Sequence, residues 1–204
     1  MTTQSFNPPP TVESSARAWP PAQGDWTFSD YAKLPDNGFR YEVIYGDLYM
    51  SPAPFVPHQR AATRIASLIF DHLEANDLGE AFSAPIDVVF PNAADPIQPD
   101  VIAIKTENLN IIADEKRVEG APDLVVEVLS KSTADRDRGV KFKAYADGGV
   151  SEYWIVDPHA QTIEVNVLRG HAYVPIGTFA QGQTVRSEAF HDLEISVNRV
   201  FRIR

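Results

Sequence analysis

The eight residues DLVVEVLS, from Asp123 to Ser130, constrain this chain more than any other stretch. Their near-continuous apolar run reads as a strand buried on both faces, which places it at the centre of a sheet. Side chains two apart on a strand share a face, so Asp123, Val125, Glu127 and Leu129 point the same way. Asp123 and Glu127 still lie about 13 Å apart at roughly 3.3 Å per residue, too far to act on one ion. A buried glutamate without a partner costs several kcal/mol or takes up a proton. Glu127 therefore needs a partner from another segment.

Two residues answer that need. Asp100 follows Pro99 and opens VIAI, a second short apolar strand. Adjacent strands would bring Asp100 and Glu127 within about 6 Å, near enough to share a hard cation such as Mg²⁺ with water completing its shell. The plain alternative is that Asp100 and Asp123 cap the starts of their strands while Glu127 pairs with an arginine. Lys141 is the second. The helix after DLVVEVLS is capped by Ser132, Thr133 or Asp135 and ends at Gly148-Gly149. At 3.6 residues per turn, Val140, Lys141, Ala144 and Tyr145 fall within about 140° of arc, facing the sheet. Lys143 lies on the opposite side with Arg136, Gly139 and Asp147, and Lys131 sits in the solvated loop before the helix. A lysine facing the sheet beside a strand glutamate is either its salt-bridge partner or a catalytic ammonium.

The remaining segments supply the frame. DWTFSDYAKLP predicts a short helix from Thr27 or Ser29 to Leu34, stopped by Pro35. RYEVIYGDLYM predicts a hairpin turning at Gly46-Asp47, with glycine first indicating a type II′ turn. His58 to Glu74 carries apolar residues at helical spacing over about four turns. EAFSAPIDVVFP reads as a strand broken at Pro85, and TENLNIIADEKRVEGA as irregular and charged, a surface loop or a short helix. SEYWIVD and TIEVNVLR pair around Pro158-His159, and AYVPIGTFAQGQTVRS adds one or two short strands. That order gives an α/β or α+β sheet with helices packed on it. One domain is expected over residues 25–204, behind a disordered, Pro- and Ser-rich arm over 1–24.

Composition removes several classes. Without cysteine there is no disulfide framework, thiol nucleophile or Cys-based zinc site. No apolar run reaches about 18 residues, so no membrane-spanning helix is expected. The first residues lack the basic start and apolar core of a signal peptide, and a cytoplasmic location is expected. A net charge of −10 leaves no broad basic face for nucleic acid. A nucleic-acid site here must be a local basic patch or be completed by metal ions.

Taken together, RYEVIYGDLYMSPAP, QPDVIAI, PDLVVEVLS, DRDRGVKFKAY and GGVSEYWIVDP resemble the Uma2 (DUF820) family over roughly residues 26–200. The ordered set is specific although each motif alone is weak. That family is assigned to the PD-(D/E)XK superfamily of endonucleases, which implies a restriction-endonuclease-like core: a central mixed sheet flanked by helices. Carried over by residue, Asp100 is the aspartate of the PD element and Glu127 the acidic residue of (D/E)XK. The lysine of that element would fall at 129, where this chain has Leu129. Lysine migration to the following helix is known in the superfamily, and Lys141 fits it. The resemblance also places an acidic residue at Glu42, as a third carboxylate of the site; an outward-facing polar residue is the alternative. His58, at the start of the long helix, is either an accessory group that binds phosphate or activates water, or a simple cap.

The resemblance implies Mg²⁺- or Mn²⁺-dependent hydrolysis of phosphodiester bonds, with DNA as the expected nucleic acid. Asp100, Glu127 and the main-chain carbonyl of Val128 would hold the ion, and Lys141 would stabilise charge on the phosphate. The rival is a non-catalytic binding module on the same fold, favoured by the acidic charge and by Leu129. A carboxylate pair acting on sugars is the weakest reading, because it leaves the lysine without a role. A homodimer is expected, with SEYWIVD and the C-terminal VFRIR as candidate apolar surfaces.

Overall fold

DLVVEVLS does form a central strand, and the rest of the molecule is arranged about it. The structure, a computed structural model, describes residues 18–91, 93–115 and 117–202. The chain begins with α1 (Phe28–Tyr31), the hairpin β1 (Arg40–Ile44) and β2 (Asp47–Ser51), and the long helix α2 (Val56–Ala75). Next come β3 (Gly79–Ser83), β4 (Asp87–Phe90), β5 (Ala94–Ile97) and β6 (Val101–Lys105). A 3-10 helix (Thr106–Ile111) leads to β7 (Ile112–Asp114), β8 (Arg117–Glu119) and β9 (Leu124–Val128). Two helices follow, α3 (Ala134–Arg138) and α4 (Val140–Gly148), and then β10 (Glu152–Asp157), β11 (Thr162–Arg169) and β12 (Ala172–Phe179). The described chain closes with β13 (Thr184–Arg186), β14 (Glu194–Ser196) and α5 (Val197–Phe201).

This is a mixed α+β fold. The strands divide between two six-stranded sheets, ordered β12-β11-β10-β9-β6-β3 and β2-β1-β5-β4-β8-β7, with β13 and β14 as a separate pair. β9 is parallel to β10 and antiparallel to β6, and all five of its residues are buried. Strand alternation then sorts its side chains. Leu124, Val126 and Val128 join Ile65, Ile69 and Leu73 of α2, with α5 completing that layer. Val125 and Leu129 face Tyr145 of α4 and, from the second sheet, Ile44 and Phe90. Glu127 shares this second face, so it lies between the two sheets and beneath α4.

Several elements differ from the sequence expectations, each for a local reason. The hairpin turns on Tyr45-Gly46, because Ile44 pairs with Asp47 and both turn residues have positive φ, 51° and 80°. That is the type I′ geometry, whose twist matches the strands it joins. Glycine is required at 46 for a second reason, since a Cβ there would stand 2.3 Å from the Gly24 carbonyl oxygen. The helix after β9 breaks at Gly139 into α3 and α4, where a Cβ would stand 2.8 Å from the Asp135 carbonyl oxygen. The stretch read as a surface loop or short helix, 106–121, opens with the 3-10 helix but also holds β7 and β8, each too short to display an alternation.

The expected arm lies outside the described residues over 1–17. Residues 18–24 are ordered against the hairpin: Gln23 accepts from the Leu48 N–H (2.7 Å) and donates to its carbonyl (3.0 Å), and the Gly24 N–H donates to Gly46 (2.9 Å). The described apolar residues of both segments expected to form a dimer surface are buried within the fold. SEYWIVD is β10, paired on both edges, and Val200 and Phe201 of α5 are buried in the core. Residues 203 and 204 lie outside the described residues. Among the described residues, no helix is long and apolar enough to cross a membrane.

Candidate active site

The register of the central strands builds the site. Val101 of β6 pairs with Val126 of β9 in antiparallel sense. One step further places Asp100 opposite Glu127, and directly opposed residues of an antiparallel pair project from the same face. Asp100 is 4% exposed and its carboxylate is held on both oxygens. Oδ1 accepts from Arg40 (3.0 Å), and Oδ2 accepts from the Val128 N–H (2.9 Å) and contacts His58 Nε2 (3.0 Å). Burial alone would raise its pKa, but His58, Arg40 and the Val128 N–H outweigh it and hold the carboxyl at about 2.

Glu127 has different company. Its Oε1 accepts from the Lys141 ammonium at 2.7 Å and from the Tyr145 hydroxyl at 2.5 Å. Glu42, brought in by β1, contacts the same ammonium at 2.7 Å and accepts from the Gln98 N–H at 2.9 Å. Asp137, one helical turn before Lys141, stands 3.9 Å from it. Burial pushes Glu127 up to about 8; Lys141 opposes that, and Asp137, Asp100 and Glu42 add to it. Lys141 remains an ammonium. Burial favours its neutral form, but Glu127, Glu42 and Asp137 together raise its pKa above the ordinary lysine range.

Asp100, Glu127, Glu42, Asp137 and Lys141 line a small cavity of about 40 Å³. Among the described residues, two buried side-chain polar atoms lack a hydrogen-bond partner, His58 Nδ1 and Arg136 Nε. Both residues line this cavity. Buried polar atoms are almost always paired, so two orphans at one place mark a spot prepared for something polar.

The structure therefore gathers Asp100, Glu127, Lys141, Glu42, His58 and Val128 around one cavity. It leaves Lys131 and Lys143 exposed, the latter paired with Asp147. Asp123 lies elsewhere and caps: it accepts from the Lys105 N–H (2.8 Å) and from Asn108 (2.9 Å). Sequence reasoning missed Arg40, Arg136, Asp137 and Tyr145. Two of them carried a signal. Arg40 is two residues from Glu42 on one strand face, and Asp137 is four residues from Lys141.

The donor set fits a hydrated hard cation. Among the described residues, no three His, Cys, Asp or Glu side chains form a ready-made metal cluster. Mg²⁺ does not need one, since it keeps several waters and is bound through one or two carboxylates. Asp100 and Glu127 offer carboxyl oxygens on one face, and an ion there would share Asp100 with its present donors.

An aspartate and a glutamate thus meet on adjacent strands of a mixed sheet in an α+β protein, with a lysine delivered by α4. The chain belongs to the Uma2 family, described as "Putative restriction endonuclease", which it matches over residues 28–198. It is also similar to a crystal structure described as "a putative nuclease belonging to DUF820" from Anabaena variabilis. That likeness has a TM-score of 0.71 at 20% identity, over 86% of this chain and 97% of the other. No curated protein matches the sequence.

Proposed function

We propose that the protein is a metal-dependent endonuclease that hydrolyses phosphodiester bonds, with DNA as its polymer. The observation that carries this reading is the buried Lys141 ammonium, held between Glu127 and Glu42 on the face that Asp100 shares. Asp100, Glu127 and the Val128 carbonyl would hold Mg²⁺ or Mn²⁺, which supplies a water of lowered pKa and neutralises phosphate charge. Hydrolysis joins the water oxygen to phosphorus and breaks the bond to the leaving sugar oxygen, which departs with a proton. The chain's own residues hold the parts in place. Lys141 supplies a fixed positive charge toward the phosphate oxygens as negative charge builds there. Glu42 and Asp137 keep that ammonium charged and aimed, and Tyr145 fixes the Glu127 rotamer. Arg40 and His58 set the direction of Asp100.

A second reading, a non-catalytic binding module, is favoured by one feature: both oxygens of Asp100 already have protein donors. Cleavage of a panel of labelled DNA and RNA strands, with Mg²⁺ or Mn²⁺ and with EDTA, separates the two. The proposal expects ion-dependent cleavage that Glu127→Gln abolishes. A folded protein that cleaves nothing with either ion supports the module.

A further inference from the structure

We propose that the substrate is single-stranded, threaded through a trough that crosses the catalytic cavity and holds bases by stacking. This rests on the reading of the cavity as the catalytic centre. Two larger cavities flank it. One, of about 460 Å³, lies between α2 and the edge strand β3 and shares Arg40 and Asp100 with the site. The other, of about 520 Å³, shares Arg40 and the Pro52–Pro54 segment with the site. Arg40 lines all three, so the cavities meet around one side chain.

The aromatic side chains of these cavities are unusual. Among the described residues three phenylalanines are exposed: Phe39 (44%), Phe55 (76%) and Phe70 (49%). Each lines a different one of the three cavities: Phe70 the one beside β3, Phe55 the site itself and Phe39 the third. Scattered apolar residues on a surface are ordinary, but an exposed ring in each of three cavities that share one arginine would serve as a stacking platform.

Charge selects the form of nucleic acid. Among the described residues, Arg40 is the sole cation lining the two flanking cavities, beside neutral groups such as Thr63, Ser67 and Tyr41 and the carboxylate of Asp36. Duplex DNA carries a charge about every 1.7 Å and is held by many Lys and Arg contacts, which the two flanking cavities lack. A single strand exposes base faces that each stack on an aromatic ring with little regard to sequence. The phosphate next to Arg40 would then sit over the catalytic cavity.

Fluorescence anisotropy in EDTA, where ion-dependent cleavage is off, tests this with labelled strands of about 16 nucleotides, the upper end of single-strand site sizes. Single-stranded DNA is expected to bind at least tenfold tighter than the same sequence as duplex. Phe39→Ala, Phe55→Ala and Phe70→Ala should each weaken single-strand binding by about fivefold or more. Phe55→Trp should retain it, whereas Phe55→Leu should not, because leucine keeps the apolar surface without the ring face. Melting temperatures unchanged from the parent confirm that these surface variants fold. Equal or tighter duplex binding, no binding of either form, or indifference to all three alanine changes overturns the inference. Ion-dependent cleavage confined to duplex would also overturn it while leaving the nuclease reading intact. Single-strand binding without cleavage of any substrate would do the opposite.

Discussion

Two buried glutamates on neighbouring strands show how differently one side chain can be used. Glu152 of β10 faces the α2 layer and Glu127 of β9 faces the second sheet, and both are almost wholly buried. Glu152 accepts from the Trp154 indole (2.7 Å), the Ser187 hydroxyl (2.6 Å) and the N–H groups of Glu188 (3.0 Å) and Ala189 (2.8 Å). Four neutral donors saturate it, and it staples the segment before β14 to the sheet. Glu127 instead shares one ammonium with Glu42 and Asp137, beside a cavity with two unpartnered polar atoms. Burial alone does not distinguish a structural carboxylate from a functional one. Its partners do.

The contrast can be broken first by Glu152→Ala. Several buried donors would lose their acceptor, each at about 1–3 kcal/mol, so thermal and chemical melts should show a loss of at least about 3 kcal/mol. Added Mg²⁺ should not restore it. A neutral result would remove Glu152 from the structural class.

Lys141→Met comes next. It strands Glu42, Glu127 and Asp137 together, and removing one partner of a buried charge cluster costs about 3–5 kcal/mol. Here Mn²⁺ should recover part of the loss, because a cation can take the ammonium's place among the carboxylates. Failure of Mn²⁺ to shift this variant's melt would make the cluster a plain salt bridge.

Smaller effects sharpen the comparison. Asp123→Asn removes a charged acceptor from the Lys105 N–H and should cost about 1–2 kcal/mol in a melt, leaving any cleavage activity unchanged. Lys143→Met touches an exposed pair and should leave the melting temperature and the activity of the parent unchanged. A large loss of activity in Lys143→Met would mean that the wrong lysine has been assigned.

Much of the site was legible because it follows from two periodicities. Alternation along DLVVEVLS put Glu127 in the interior, and the wheel separated Lys141 from Lys143 although Gly139 interrupts the helix. Asp100 was found by the same logic, as the residue opening a second apolar strand. The division of strands between two sheets was not legible, because β3 and β4 are separated by three residues yet pair with partners far along the chain. Arg136 escaped for a related reason. It lies outside the sheet-facing arc of the helix, and the break at Gly139 sets α3 apart from α4, with Arg136 reaching Ser51 at the end of the hairpin. Glu152 and its four donors depend on the return of the chain near residue 187, which no local pattern announces.

The central claim is that the Glu127 cluster receives a divalent ion while the Glu152 cluster does not. Calorimetric titration of Mn²⁺ into the parent protein and into Glu127→Gln tests it most directly. The amide keeps the shape of the side chain, and Lys141 keeps Glu42 and Asp137 as partners, so the fold should survive the change. The account predicts saturable binding by the parent that is lost or greatly weakened in Glu127→Gln, with a cooperative melt showing that the variant is folded. Absence of binding by the parent, or equal binding by both, would contradict it.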